Sequence, residues 1–139
     1  MTVRRFLLVY AITLPIFFGI DLVWLGVVAN TFYPRHLGHL LGGQVQWIPA
    51  VLFYLLFIAG IVFFAVKPAI EAGRPGQALV NGAFLGLVAY ATYDLTNQAT
   101  MRDWPVIVTV VDLIWGTVLT GTVAVVSYLV SRRVGRIDG

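Results

Sequence analysis

The sequence predicts an all-α fold: an antiparallel bundle of four membrane-spanning helices with both termini cytoplasmic, forming one integral membrane domain over residues 1–139. Three observations carry this. Of 139 residues, 60% are hydrophobic and only 11% charged, where a soluble domain carries about a quarter of its residues as Asp, Glu, Lys or Arg. The apolar residues gather into four runs, each near or above the ~20 needed to cross a ~30 Å hydrocarbon core as helix. Seven of the nine basic residues fall on one side of those runs, which the positive-inside bias reads as the cytoplasmic face. Barrel strands are excluded, since they would alternate apolar and polar residues over ~10 positions. The absence of cysteine removes disulfide scaffolds, thiol catalysis and Cys-ligated metal centres.

The first span covers about 6–29. Arg4-Arg5 before an apolar run resembles a signal peptide, but a signal core is ~7–15 apolar residues and this run is longer and contains Asp21 and Trp24, so a retained helix is expected. The second span, about 48–66, begins beside Pro49 and is closed by Lys67-Pro68. The third runs over about 78–98. The fourth, about 105–130, starts at Pro105, where a missing N–H costs nothing, and is followed by Arg132-Arg133. The inner loop 67–77, rich in Gly and Pro, reads as a plain connector. The outer loop 30–47 places Leu37, Leu40 and Leu41 on one helical face beside His36 and His39, which suits a helix lying on the membrane surface or dipping into the bundle mouth.

The N-terminus (Arg4, Arg5), the second loop (Lys67, Arg74) and the tail (Arg132, Arg133, Arg136) supply the seven inner basic residues, against Arg35 and Arg102 outside. Trp47 and Trp104 then both fall at the outer interface, where an indole is favoured. The net charge of +3 is therefore a topology signal, and no nucleic-acid partner is expected.

Three of the six acidic residues, Asp21, Asp94 and Asp112, lie inside spans that hold no Lys or Arg. A mid-span Asp costs ~2.5–3.5 kcal/mol on insertion scales, while each Leu, Ile, Val or Phe returns ~0.3–0.6. The first span has fifteen of those four residue types and tolerates its Asp; the third has only seven against Asp94, Asn81, Asn97 and Gln98, and should be the helix most surrounded by protein. Gly82, Gly86, Tyr90, Asp94 and Gln98 recur every four residues along one winding stripe of that span. A packing face explains its glycine half but says little about the polar half.

A tetrapeptide also repeats: Asp21-Leu22-Val23-Trp24 in the first span and Asp112-Leu113-Ile114-Trp115 in the fourth. Asp21 lies about 13 Å below Asn30 and Asp112 about 12 Å below Trp104 at 1.5 Å per residue, and Asp94, four residues before Gln98, is somewhat shallower, so the three carboxylates belong to related depths in the outer half. Chance recurrence is one reading of the repeat, and interhelical hydrogen bonding is the structural alternative for the carboxylates. The functional reading is an outward-facing polar pocket that binds a cation or small ligand through Asp21, Trp24, His36, His39, Tyr90, Asp94, Asn97, Asp112 and Trp115.

The stretches Asp21-Leu-Val-Trp-Leu-Gly, Phe32-Tyr-Pro-Arg-His-Leu-Gly-His-Leu-Leu, Pro49-Ala-Val-Leu-Phe-Tyr-Leu-Leu, Tyr93-Asp-Leu-Thr-Asn-Gln-Ala-Thr and Asp112-Leu-Ile-Trp-Gly-Thr resemble a family of predicted bacterial inner-membrane proteins known as a domain of unknown function, of the DUF2177 type. The resemblance implies a four-helix protein of the bacterial inner membrane. It implies no activity.

Three readings of function stay open. A binding or transport module, complete alone or as a homodimer, uses the carboxylates as acceptors. A membrane-embedded enzyme acting on a lipid-like substrate uses a carboxylate as acid or base, with His36 and His39 as proton shuttle or metal ligands. An accessory subunit supports a partner membrane protein. No catalytic residue, cofactor or metal ligand is assigned, and the lipid bilayer is the expected surrounding.

Overall fold

A computed structural model describes residues 1–137, with the side chains of Arg136 and Ile137 and the whole of residues 138–139 outside the described part. Four helices are long and apolar enough to cross a membrane: α1 (Val3–Leu37), α2 (Trp47–Ala72), α3 (Pro75–Thr100) and α4 (Val106–Ile137). Among the described residues there are no strands. The chain is a membrane protein of the all-α class that its composition predicts.

The helices exceed the apolar runs. α1 does not end near Ala29; a π-helical turn at Leu25–Ala29 leads without a break into Asn30–Leu37. The segment expected as a separate surface helix is thus the last two turns of a 35-residue rod, about 52 Å long at 1.5 Å per residue. Polar Asn30 and Thr31 end the hydropathic run but leave the backbone ladder intact. The second run extends likewise. Lys67-Pro68 does not close it: a π turn at Val62–Val66 passes into Lys67–Ala72. Pro68 has no N–H to give the Phe64 carbonyl four residues back, and the Asn81 amide of α3 supplies a donor instead, Nδ2 to O at 3.2 Å. The stop falls at Gly73, at φ 68°, where the Gly73 and Arg74 N–H groups return to the Ile70 and Ala69 carbonyls in a Schellman motif. The connector expected over 67–77 is therefore only Gly73 and Arg74.

Contacts between the ends fix the topology. The Met1 ammonium meets Glu71 at 3.2 Å, and Arg5 lies beside Gly135, so both termini and the α2–α3 connector share one end. At the other end His39 Nε2 meets the Asp103 carbonyl at 3.1 Å, and Leu37, Trp104 and Val108 form a small buried cluster with Phe32 and Tyr33 against it. Trp104 differs from expectation: only 8% exposed, its indole donates to Thr109 Oγ1 at 3.1 Å and its ring meets Tyr93 edge-on. It plugs the helix ends where an interfacial anchor was expected. Trp47, 70% exposed, keeps the position such an anchor needs.

The main core fills the half nearer the termini, with Val9, Phe17, Phe57, Ile58, Ile61, Leu119, Val123 and Tyr128 among its buried members. α3 and α4 make the closest crossing. A Cβ on Gly86 would strike the Gly116 carbonyl and Thr120, and one on Gly82 would lie 2.8 Å from the Thr120 carbonyl; only hydrogen at these positions lets the two backbones touch. The glycine half of the four-residue stripe is thus a packing face, and it fixes α3 against α4 immediately below the carboxylates.

Candidate ligand-binding cavity

In the half of the bundle away from the termini, all four helices line one cavity of about 490 Å³: α1 gives Asp21, Trp24, Leu25 and Tyr33, α2 gives Phe53 and Tyr54, α3 gives Ala89, Tyr90 and Tyr93, and α4 gives Asp112 and Trp115. Among these side chains two are carboxylates, four are phenols and none is basic. Behind the lining, the Phe17 ring packs 5.7 Å from Tyr54 and 5.9 Å from Phe57.

The repeated tetrapeptides meet here. Trp24 and Trp115 stack face to face, centroids 4.3 Å apart and planes 8° from parallel, which brings the Asp-Trp pair of α1 against that of α4. Asp21 has the Trp115 indole and the Tyr54 phenol as neighbours, although Trp115 Nε1 closes no hydrogen bond among the described residues. Asp112 accepts from the Tyr33 hydroxyl at 2.5 Å. Each carboxylate therefore faces side chains of other helices, and the stacked indoles bridge the two.

Tyr33 reaches Asp112 because of the π turn. Twelve residues separate Asp21 from Tyr33; in a regular helix that spacing rotates Tyr33 about 120° away, whereas the extra residue held in a π turn takes back about 100° and leaves the two about 20° apart. Without the bulge at Leu25–Ala29 the Tyr33 phenol would face lipid.

Asp94 stands behind this wall. Its side chain is fully buried, neither oxygen has a hydrogen-bond partner among the described residues, and the Asp112 carboxyl lies directly beside it. Two like charges this close in a low-dielectric setting repel. A proton on one of them, or a cation between them, removes the repulsion.

Of the residues singled out in sequence, Asp21, Trp24, Tyr90, Asp112 and Trp115 line the cavity, and Asp94 abuts it. Asn97 lies outside the lining, beside Tyr93. His36 packs its ring on Phe32, centroids 4.7 Å apart, and His39 is held at Asp103, so both sit at the helix ends and apart from the carboxylates. Among the described residues no group of three or more His, Cys, Asp or Glu is gathered as a metal site would need. Sequence reasoning missed Tyr33, Tyr54 and Tyr93. A phenol in an otherwise apolar run is the signal that would have found Tyr54, whereas Tyr33 required the π turn.

No curated protein and no solved structure matches the chain. A family model described as "Predicted membrane protein (DUF2177)" matches residues 6–129, a stretch that contains every lining residue of the cavity. The chain belongs to that family.

Proposed function

We propose that the cavity binds a small organic cation, making the protein a cation-binding, and by extension cation-transporting, component of the inner membrane. The observation that carries this is the convergence of Asp21 and Asp112 with aromatic side chains around about 490 Å³ that no basic side chain lines. That volume is within the ~300–1,000 Å³ of small-molecule sites and exceeds what a bare metal ion fills. Carboxylates supply charge, and indole and phenol faces attract a cation electrostatically, by ~2 kcal/mol or more when desolvated. A neutral or anionic guest would forgo one contribution or oppose it.

Orientation follows from the basic residues. With seven of nine on the end that carries the termini, the termini are cytoplasmic and the cavity lies toward the outside.

The test uses protein reconstituted in nanodiscs, with tryptophan emission as the reporter, since Trp24 and Trp115 line the cavity. Titration with tetraethylammonium should give a saturable change that its uncharged carbon analogue does not. Asp112→Asn should weaken that response at least about tenfold, the loss of one charged contact. An equal response to the neutral analogue, or an unchanged one in the variant, would refute the proposal.

A further inference from the structure

A second cavity lies at the opposite end of the bundle. About 890 Å³ in volume, it is a cleft between the first turns of α1 and the last turns of α4. Its head is polar: Arg4 and Arg5 line it, together with Ser131. Its stem is apolar, formed by Leu8 and Ile12, which lie about 5–10 Å farther along α1 at 1.5 Å per residue.

Three observations distinguish this cleft from a pair of solvated arginines. Among the described residues neither arginine has a carboxylate partner; the one ion pair there joins Met1 to Glu71, and Asp138 lies outside the described part. Ser131 lines the cleft and is only 5% exposed, and among the described residues its hydroxyl has no hydrogen-bond partner, which leaves a donor free to serve a ligand. Gly135 has no side chain to fill the space beside Arg5; a Cβ there would lie 3.3 Å from Arg5 Nη2.

We infer that this cleft holds the phosphate of an acidic phospholipid from the leaflet that faces the termini. The two guanidiniums and, on rotation about its Cα–Cβ bond, the Ser131 hydroxyl donate to the phosphate oxygens, and one acyl chain follows Leu8 and Ile12. A guanidinium matches phosphate geometry in a fork, and the polar head lies at the membrane surface with the apolar stem leading inward, which is the shape of a lipid. A free phosphate satisfies the head but leaves the stem empty, so the lipid is the occupant that uses both. Nearby Arg132 is engaged elsewhere, its Nη1 donating to the Tyr128 hydroxyl at 3.0 Å.

The experiment is native mass spectrometry of the whole chain released from mixed phosphatidylglycerol and phosphatidylcholine nanodiscs. Wild type should retain one phosphatidylglycerol in preference to phosphatidylcholine. Arg4→Gln with Arg5→Gln should weaken retention about thirtyfold, the worth of two basic residues at an anionic surface. Lys67→Gln with Arg74→Gln removes the same charge from the same end outside the cleft and should leave retention unchanged. Ser131→Ala keeps every charge, and hence the insertion signal, and should weaken retention about tenfold. Equal loss from both charge pairs, no loss with Ser131→Ala, or no preference for phosphatidylglycerol would each overturn the assignment. Displacement of the lipid by inorganic phosphate at matched concentration would also overturn it, by making the free anion the occupant.

Discussion

Gly116→Ala perturbs the cavity wall through the Tyr90 ring and leaves both lining carboxylates chemically unchanged. Gly116 lies on α4 one turn after Asp112, under the ring of Tyr90, and a Cβ built there would overlap Tyr90 Cγ and Cδ1 and come within 2.9 Å of its Cβ. Ordinary contact begins near 3.4 Å, so the ring must withdraw by about 1 Å, and dispersion contacts of this kind fade over that distance. Overpacking of this sort costs about 1–3 kcal/mol. Gly121→Ala is the matched control: it lies about 1.4 turns on along the same helix, also against α3, and its nearest neighbours would be Ala83 Cβ at 3.3 Å and Leu79 Cδ1 at 3.4 Å, so a change within about 0.5 kcal/mol is expected. Titrating the reconstituted protein with SDS in mixed micelles, followed by far-UV circular dichroism, reads both free energies. Tyr90→Ala removes the obstacle, and in that background the added cost of Gly116→Ala should fall below about 0.5 kcal/mol, a coupling that only neighbours in contact display. Equal costs for Gly116→Ala and Gly121→Ala, or a cost that persists without the Tyr90 ring, would refute the placement of that ring against α4.

Asn81→Leu should destabilise the bundle by about 0.6–1.7 kcal/mol, the worth of an interhelical hydrogen bond in a membrane, because it strips the Phe64 carbonyl of its side-chain donor. Pro68→Ala, by restoring a backbone N–H, should recover part of that loss in the same SDS titration. The orientation can be read from thiol labelling of a chain that has no native cysteine: Gly42 and Gly76 both stand in open space, so a cysteine at Gly42 should react with an impermeant maleimide in intact cells and one at Gly76 only after lysis. The reverse pattern would place the termini outside.

What the sequence disclosed and what it hid divide along a physical line. Hydropathy located four helices, and the four-residue spacing from Gly82 to Gln98 found the face that α3 turns to α4, because both depend on composition and on the regular 3.6-residue period. The Asp-Trp repeat marked the two stretches that meet at the stacked indoles. Helix ends were misjudged where polar residues begin before the hydrogen-bond ladder stops, at Asn30 and again at Lys67. Tyr33 was hidden for a related reason: a π turn shifts every later residue by about 100°, and a regular-period reading carries no trace of it. The same error put His36 and His39 near the carboxylates, since a loop was expected to fold them over the mouth where a rigid rod carries them past it. Trp104 was read by residue type as an interfacial indole, but Thr109, five residues on, offers its indole a buried partner.

Asp94 gives the sharpest way to separate a structural carboxylate from a functional one. Asp112 is bonded to Tyr33 and Asp21 is flanked by Trp115 and Tyr54, so either could be kept for the fold alone. Asp94 is fully buried and, among the described residues, neither oxygen meets a hydrogen-bond donor; its neighbour is the like-charged Asp112 carboxyl, and Thr92 and Thr96, two positions away on either side, bond back to their own helix and offer it nothing. An unpaired buried carboxyl works against stability, and it sits beside the tightest helix crossing in the molecule, at Gly86 and Gly116, so loose packing does not account for it. Asp94→Asn should therefore stabilise the ligand-free bundle by about 1–3 kcal/mol, because the amide has the carboxyl's size and gives the Asp112 carboxylate a donor where it had a like charge. The same change should abolish the tetraethylammonium response, because the Asp94–Asp112 repulsion that a cation relieves is gone. A destabilised Asp94→Asn bundle would instead assign this carboxylate to the fold, and a variant that is more stable and still responds would remove Asp94 from the site and leave Asp21 and Asp112 to hold the cation.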